Sequence, residues 1–246
     1  MVLIGIDSAV DSKNVGVARG RLFEEGVLVE ELASGAEVEW VDRVVDWTRA
    51  APNALLAIDA PLGWPASMRA ALAQHRAGDP IDLPADSIFR RETDLFVQRT
   101  LRQRPLDIGA DRIARTAHAA LAALFRIREG SGKRLPLAWA PGEPAESSAI
   151  EVYPAATLRA RGLSPTGYKK EGKDGWDRRA EILVGLKAWM HWSPGLIESA
   201  LGLDHLFDAA LCVLAAADFV RGDVLAPEDP ETARIEGWIW VRRPRA

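Results

Sequence analysis

VLIGID at residues 2–7 and ALLAID at residues 54–59 decide the fold. In each, a run of five apolar residues (2–6 and 54–58) stops abruptly at an aspartate, Asp7 or Asp59. Short apolar runs bounded by polar or turn-forming residues read as buried strands. Outward from the first, VGVARG (15–20) and VLVEELA (27–33) read as two more strands, with Gly20 and Gly26 bracketing the turn. Residues 37–50, EVEWVDRVVDWTRA, set Val38, Val41, Val44, Val45 and Thr48 at helical spacing, so an amphipathic helix is expected, ended by Pro52-Asn53. The order is β-β-β-α-β, an α/β pattern with an acid closing the first and fourth strands.

The rest of the chain is less regular. Residues 61–107 are rich in Pro, Arg and Asp, with helices expected at 67–77 and 110–129 and a loop at 130–148 with room for one strand. AIEVYP (149–154) reads as a short strand stopped by Pro154. A basic stretch, GYKKEGKDGWDRRAE (167–181), follows, and helices are expected at 177–191 and 206–221. GWIWV (237–241) reads as a final strand or a packed tail.

Composition narrows the class. At 246 residues the chain suits one elaborated domain, and 48% hydrophobic residues suit a sizeable core. With 31 basic and 35 acidic residues the net charge is −4, so nucleic acid would have to be held by a local patch. The single cysteine, Cys212, excludes an internal disulfide and a Cys-rich zinc site. The N-terminus lacks a basic lead, and the apolar runs fall short of the ~18 residues of a membrane helix. A cytoplasmic enzyme or binding protein is expected, with no membrane partner and with a homodimer left open.

The acids carry the chemistry. In open α/β sheets ligands gather beyond the carboxyl ends of strands, where Asp7 and Asp59 stand. Glu151 lies in the AIEVYP segment. Asp204 and Asp208 are one helical turn apart, and Asp208 sits on an otherwise apolar helix, where a charge must be paired, ligated or turned to a cavity. Gathered carboxylates repel, and a hard cation such as Mg²⁺ or Mn²⁺ resolves the repulsion. Two such ions about 4 Å apart can activate a water for phosphodiester cleavage. Each acid also has a bland reading as a turn former, helix cap or salt-bridge partner. Arg90 and Arg91, in RRETD with Asp94, are placed either to grip a phosphate bidentately or to form a structural ion pair with Glu151 or Asp94. Lys169 and Lys170, beside Tyr168, either line a nucleic-acid backbone or belong to a solvated loop. His205, between Asp204 and Asp208, is the one histidine placed as a neighbour of the site.

GIDSA (5–9), AIDAPLG (57–63), RRETD (90–94), IEVYPAAT (150–157), DHLFDAALCVLAA (204–216) and EGWIWV (236–241) occur in that order. As a set they resemble the domain of unknown function 429 family, predicted nucleases of RNase H-like fold. The resemblance implies a mixed five-stranded sheet flanked by helices, with a large insert at 64–148. It implies metal ligands at Asp7, Asp59 and Asp208, with Asp204 as a second helix acid in the manner of resolvases. It implies metal-dependent hydrolysis of DNA or RNA, and in that chemistry Arg90 or Arg91 is the expected group to steady the phosphate. Two other classes share such a fold: a non-catalytic binding or assembly protein, and an actin-like or sugar-kinase-type ATP-binding phosphotransferase. The second needs glycine-rich phosphate loops, which GIDSAVDSKN does not supply.

Overall fold

A computed structural model describes residues 1–109 and 111–244. The first half follows the expected order: β1 (Val2–Asp7), β2 (Gly16–Phe23), β3 (Gly26–Ser34), α1 (Trp40–Ala50) and β4 (Ala54–Asp59). Four helices then precede β5: α2 (Ala66–Leu72), α3 (Ala85–Phe89), α4 (Glu92–Leu101) and α5 (Asp111–Ser131). β5 (Ser148–Glu151) leads to α6 (Pro154–Arg159), α7 (Gly172–Leu186), β6 (Met190–Trp192), α8 (Leu196–Gly202), α9 (Asp204–Val220) and α10 (Pro230–Glu236).

Among the described residues the strands form one mixed sheet in the order β5-β4-β1-β2-β3-β6. β1 pairs antiparallel with β2, and β2 with β3, whereas β1–β4, β4–β5 and β3–β6 are parallel. The expected five strands become six. Met190–Trp192 was expected at the end of a helix, but α7 stops at Leu186 and these three residues add a parallel edge beside Val27–Val29. Three residues are too few to show a period.

Alternation along the strands assigns the two faces. Ile4 and Ile6 of β1 and Leu56 and Ile58 of β4 pack with α1 and α5. Leu3, Leu55 and Ala57 point the other way, into a core dominated by α9. Asp7 and Asp59, two residues beyond Gly5 and Ala57, belong to that second face. α9 lies tight against the sheet because glycines face it. A Cβ on Gly5 would meet the Ala209 carbonyl oxygen at 2.0 Å and the Cys212 Cβ at 2.9 Å, and one on Gly16 would meet the His205 carbonyl oxygen at 2.1 Å.

Other boundaries moved for physical reasons. α2 ends at Leu72 rather than 77 and buries none of its residues, so no packing extends it. For the helix expected over 110–129, residue 110 lies outside the described residues. β5 ends at Glu151, and Pro154 opens α6, a position that its missing N–H and fixed φ favour. GWIWV is a packed tail: Trp238 and Trp240 are buried, and Ile239 makes only an isolated bridge to Glu151. Among the described residues no single helix is long and apolar enough to cross a membrane; the bent pair α8–α9 passes by composition, but α9 is almost wholly buried.

The α9–β1 contact gives the first prediction. Gly5→Ala overpacks a site with backbone on the far side and should cost about 3 kcal/mol of unfolding free energy. Denaturant unfolding of wild type and variant checks it, and a loss under about 0.5 kcal/mol would show that the helix is not held this closely.

Candidate metal centre

The parallel register of β1 and β4 aligns Asp7 with Asp59. Neighbouring strands run ~4.8 Å apart, so two side chains aligned on one face are neighbours by construction. Asp208 reaches them from α9. Cys212 and Ala209 touch Gly5, and Asp208, one turn before Cys212, comes down beside Asp7. One carboxylate oxygen from each of Asp7, Asp59 and Asp208 lies within 4.8 Å of the others. Asp208 is fully buried, while Asp7 and Asp59 are half-buried and line a cavity of about 750 Å³.

Three carboxylates are balanced here by one ammonium. Lys169 Nζ lies 2.5 Å from Asp208 Oδ2, and the Tyr168 hydroxyl donates to Asp208 Oδ1 at 2.8 Å. Burial, followed by repulsion from Asp208 and Asp59, pushes the Asp7 carboxyl well above the usual carboxylate range. Burial also lifts Asp59 to about 7, against the pull of Lys169 and a hydrogen bond to Asp7. Burial raises Asp208, opposed by Lys169 and Tyr168, and the same three acids raise Lys169. Oxygen donors gathered at close range and high negative charge are of the kind that hold a hard divalent ion such as Mg²⁺ or Mn²⁺.

The other expected residues divide. Asp204, at the start of α9, stands 43% exposed outside the cluster. Its hydrogen bonds from His205 hold it below the usual carboxylate range. His205 turns its Nε2 to Ser34 Oγ at 3.0 Å and its Nδ1 toward Asp204 at 3.8 Å. Arg91 makes the structural ion pair. Its five N–H donors are all engaged: by both oxygens of Asp94, both oxygens of Glu151, and the Glu236 carbonyl. It has no donor left for a phosphate. Arg90 is buried against Gln98, Asp107 and Asp86 and does not line the cavity. Glu151 is a strut, since its Oε2 accepts from the Leu62 N–H at 2.9 Å and so fixes the loop after Asp59. Burial raises its carboxyl, against the pull of Arg91.

Lys169 and Lys170 both line the cavity. Lys170 is exposed, with Asp174 at 3.7 Å. Tyr168 was expected only as part of the basic stretch; it is 2% exposed and holds Asp208. Tyr153, Gln103 and Arg159, also on the wall, gave no signal in sequence, because they come from separate segments joined only by the fold.

A profile of the family described as "Protein of unknown function (DUF429)" matches residues 5–232. The chain belongs to this family. The DUF429 match runs from Gly5, two residues before Asp7, into α10, and so spans all three clustered acids. No curated protein and no solved structure matches the chain.

The raised carboxyls predict a pH dependence for this DUF429 protein. A folded-state pKa above the unfolded value means that the folded state holds the extra proton, so stability falls as pH rises between the two. For Asp59 the window runs from about 4 to about 7, worth on the order of 4 kcal/mol. Without divalent ions, Tm should fall from pH 5 to pH 8, Asp59→Asn should flatten the fall, and saturating Mn²⁺ should reverse it at pH 8. Calorimetry at each pH checks this, and a flat wild-type profile contradicts it.

Proposed function

We propose that the protein is a metal-dependent nuclease of RNase H-like fold that hydrolyses phosphodiester bonds of DNA or RNA. The observation that carries this reading is the convergence of Asp7, Asp59 and Asp208 from two aligned strand ends and one buried helix, with Asp7 and Asp59 lining a cavity. Acids at the ends of the first and fourth strands and on a late helix are what the resemblance noted in the sequence implies. Asp7, between the other two in the sheet-and-helix arrangement, is the natural shared ligand. Asp59 and Asp208 complete the set, and Asp204 is left out.

These carboxylates would hold Mg²⁺ or Mn²⁺. When bound, such an ion lowers the pKa of water and stabilises charge on a phosphoryl oxygen. The chain's own groups do the rest. Asp7 and Asp59, whose carboxyls burial raises, would be held in their charged form by a bound cation. Tyr168 keeps Asp208 oriented through its hydroxyl. Lys169 neutralises the acids while no cation is present, and its stem lets the ammonium move aside toward a substrate phosphate. Lys169, rather than Arg90 or Arg91, is therefore the cation placed to steady the phosphate. Its pairing with Asp208 also favours a second reading, a non-catalytic module whose acids are already balanced by the chain itself.

Two outcomes separate these readings. Purified protein with Mn²⁺ or Mg²⁺ should cleave labelled oligonucleotides, and Asp7→Asn should slow cleavage about a thousandfold by removing several kcal/mol of charge stabilisation. Cleavage that survives the substitution, or is indifferent to chelation, contradicts the nuclease reading. Lys169→Met should lower cleavage while leaving the Mn²⁺-induced rise in Tm intact or larger.

A further inference from the structure

Two further segments line the cavity together with the acids. One comes from the region between β4 and β5, where Pro105, Leu106, Ile113 and Thr116 line it. The other is the loop from Pro165 to Lys170. A volume of about 750 Å³ falls in the range of pockets that enclose a single small ligand, roughly 300–1,000 Å³. The chain's net charge of −4 gives no broad field to hold a duplex backbone.

The lining is divided by chemistry. Asp7 and Asp59 bring acid to it, and Lys170 and Arg159 bring positive charge. Arg159 is held at the wall by a chain of hydrogen bonds: its Nε donates to Gln103 Oε1 at 3.4 Å, and Gln103 Nε2 donates to the Tyr153 hydroxyl at 3.1 Å. Apolar residues line the same cavity, among them Leu106, 68% exposed, with Pro105 and Ile113. A large apolar side chain left exposed in a cavity that cations also line fits a ligand with one flat apolar part and one anionic part. A nucleotide has both: a base to cover the leucine and a phosphate to meet the cations.

We propose that this cavity takes one or two nucleotides at the end of a single strand, with the base against Leu106 and the phosphate toward Lys170 and Arg159, and that a paired duplex does not enter. This rests on the nuclease reading for its chemistry but not for its binding. The substrate class is then a strand end or a short oligonucleotide, and the bond cut is the terminal one.

The test uses the full chain in Mn²⁺ with two probes: a phosphorothioate thymidine dinucleotide, which resists hydrolysis, and a blunt-ended DNA duplex. Calorimetric titration should show saturable binding of the dinucleotide and none of the duplex at equal strand concentration. Leu106→Glu, on an exposed side chain, should weaken the dinucleotide about tenfold by removing apolar cover and adding like charge. Duplex binding as tight as the dinucleotide's, or dinucleotide affinity unchanged by Leu106→Glu, overturns the assignment. The two readings fail separately. Asp7-dependent nicking of closed circular duplex would overturn this inference and leave the nuclease standing. Dinucleotide binding without cleavage of any substrate would leave the cavity assignment standing and overturn the nuclease.

Discussion

Everything at the acidic site depends on how closely α9 lies against β1. At Gly5 there is no side chain between helix and strand, and any Cβ there would collide with the Ala209 carbonyl. That contact brings Asp208 down to the level of Asp7, and the parallel register of β1 with β4 supplies Asp59 at the same level. Gathering the three acids needs no long or flexible side chain. It follows from two backbone facts, a shared strand register and a missing Cβ. Close-packed interiors transmit such constraints because they have little free volume to absorb a shift.

A second set of interactions holds the surroundings in place. Arg91 is buried between Asp94 and Glu151, and Glu151 in turn holds the Leu62 N–H. Glu236 accepts from the N–H groups of Ala66 and Glu92, which tie α2 and α4 to α10. The segment between β4 and β5 is therefore pinned to the sheet at the very point where the chain leaves Asp59. Burying such an ion pair gains little net stability, but breaking it by removing one partner costs about 3–5 kcal/mol. Its value lies in fixing one geometry, since the wall of the cavity hangs from these struts.

Much of this was legible in the sequence, for definite reasons. Asp7 and Asp59 were visible because an apolar run that stops at an acid marks a strand end, and Asp208 because a charge on an apolar helix has to be answered. Asp204, one turn before Asp208, was the weaker candidate because it could cap the helix, and it lies at the start of α9 outside the cluster. Arg91 could not be decided from RRETD. Its partner Glu151 lies on a distant strand, and only the packing shows that all five donors are taken. Lys169 stood in a run of charges that reads as solvent-exposed, and one loop turn carries it to Asp208. β6 was too short to announce itself, and the helix start at Glu92 was hidden because the N-cap residue is an arginine, while Asp94 supplies the carboxylate that holds the Arg91 N–H.

Whether Asp7, Asp59 and Asp208 hold divalent cations is decided by a crystal soaked in Mn²⁺ and measured for anomalous scattering. The expected result is anomalous density among the three carboxylates, at about 2.0–2.2 Å from their oxygens as for other small hard divalent ions, with Lys169 withdrawn from Asp208. Saturating Mn²⁺ with no density there, and with Lys169 still against Asp208, would contradict it.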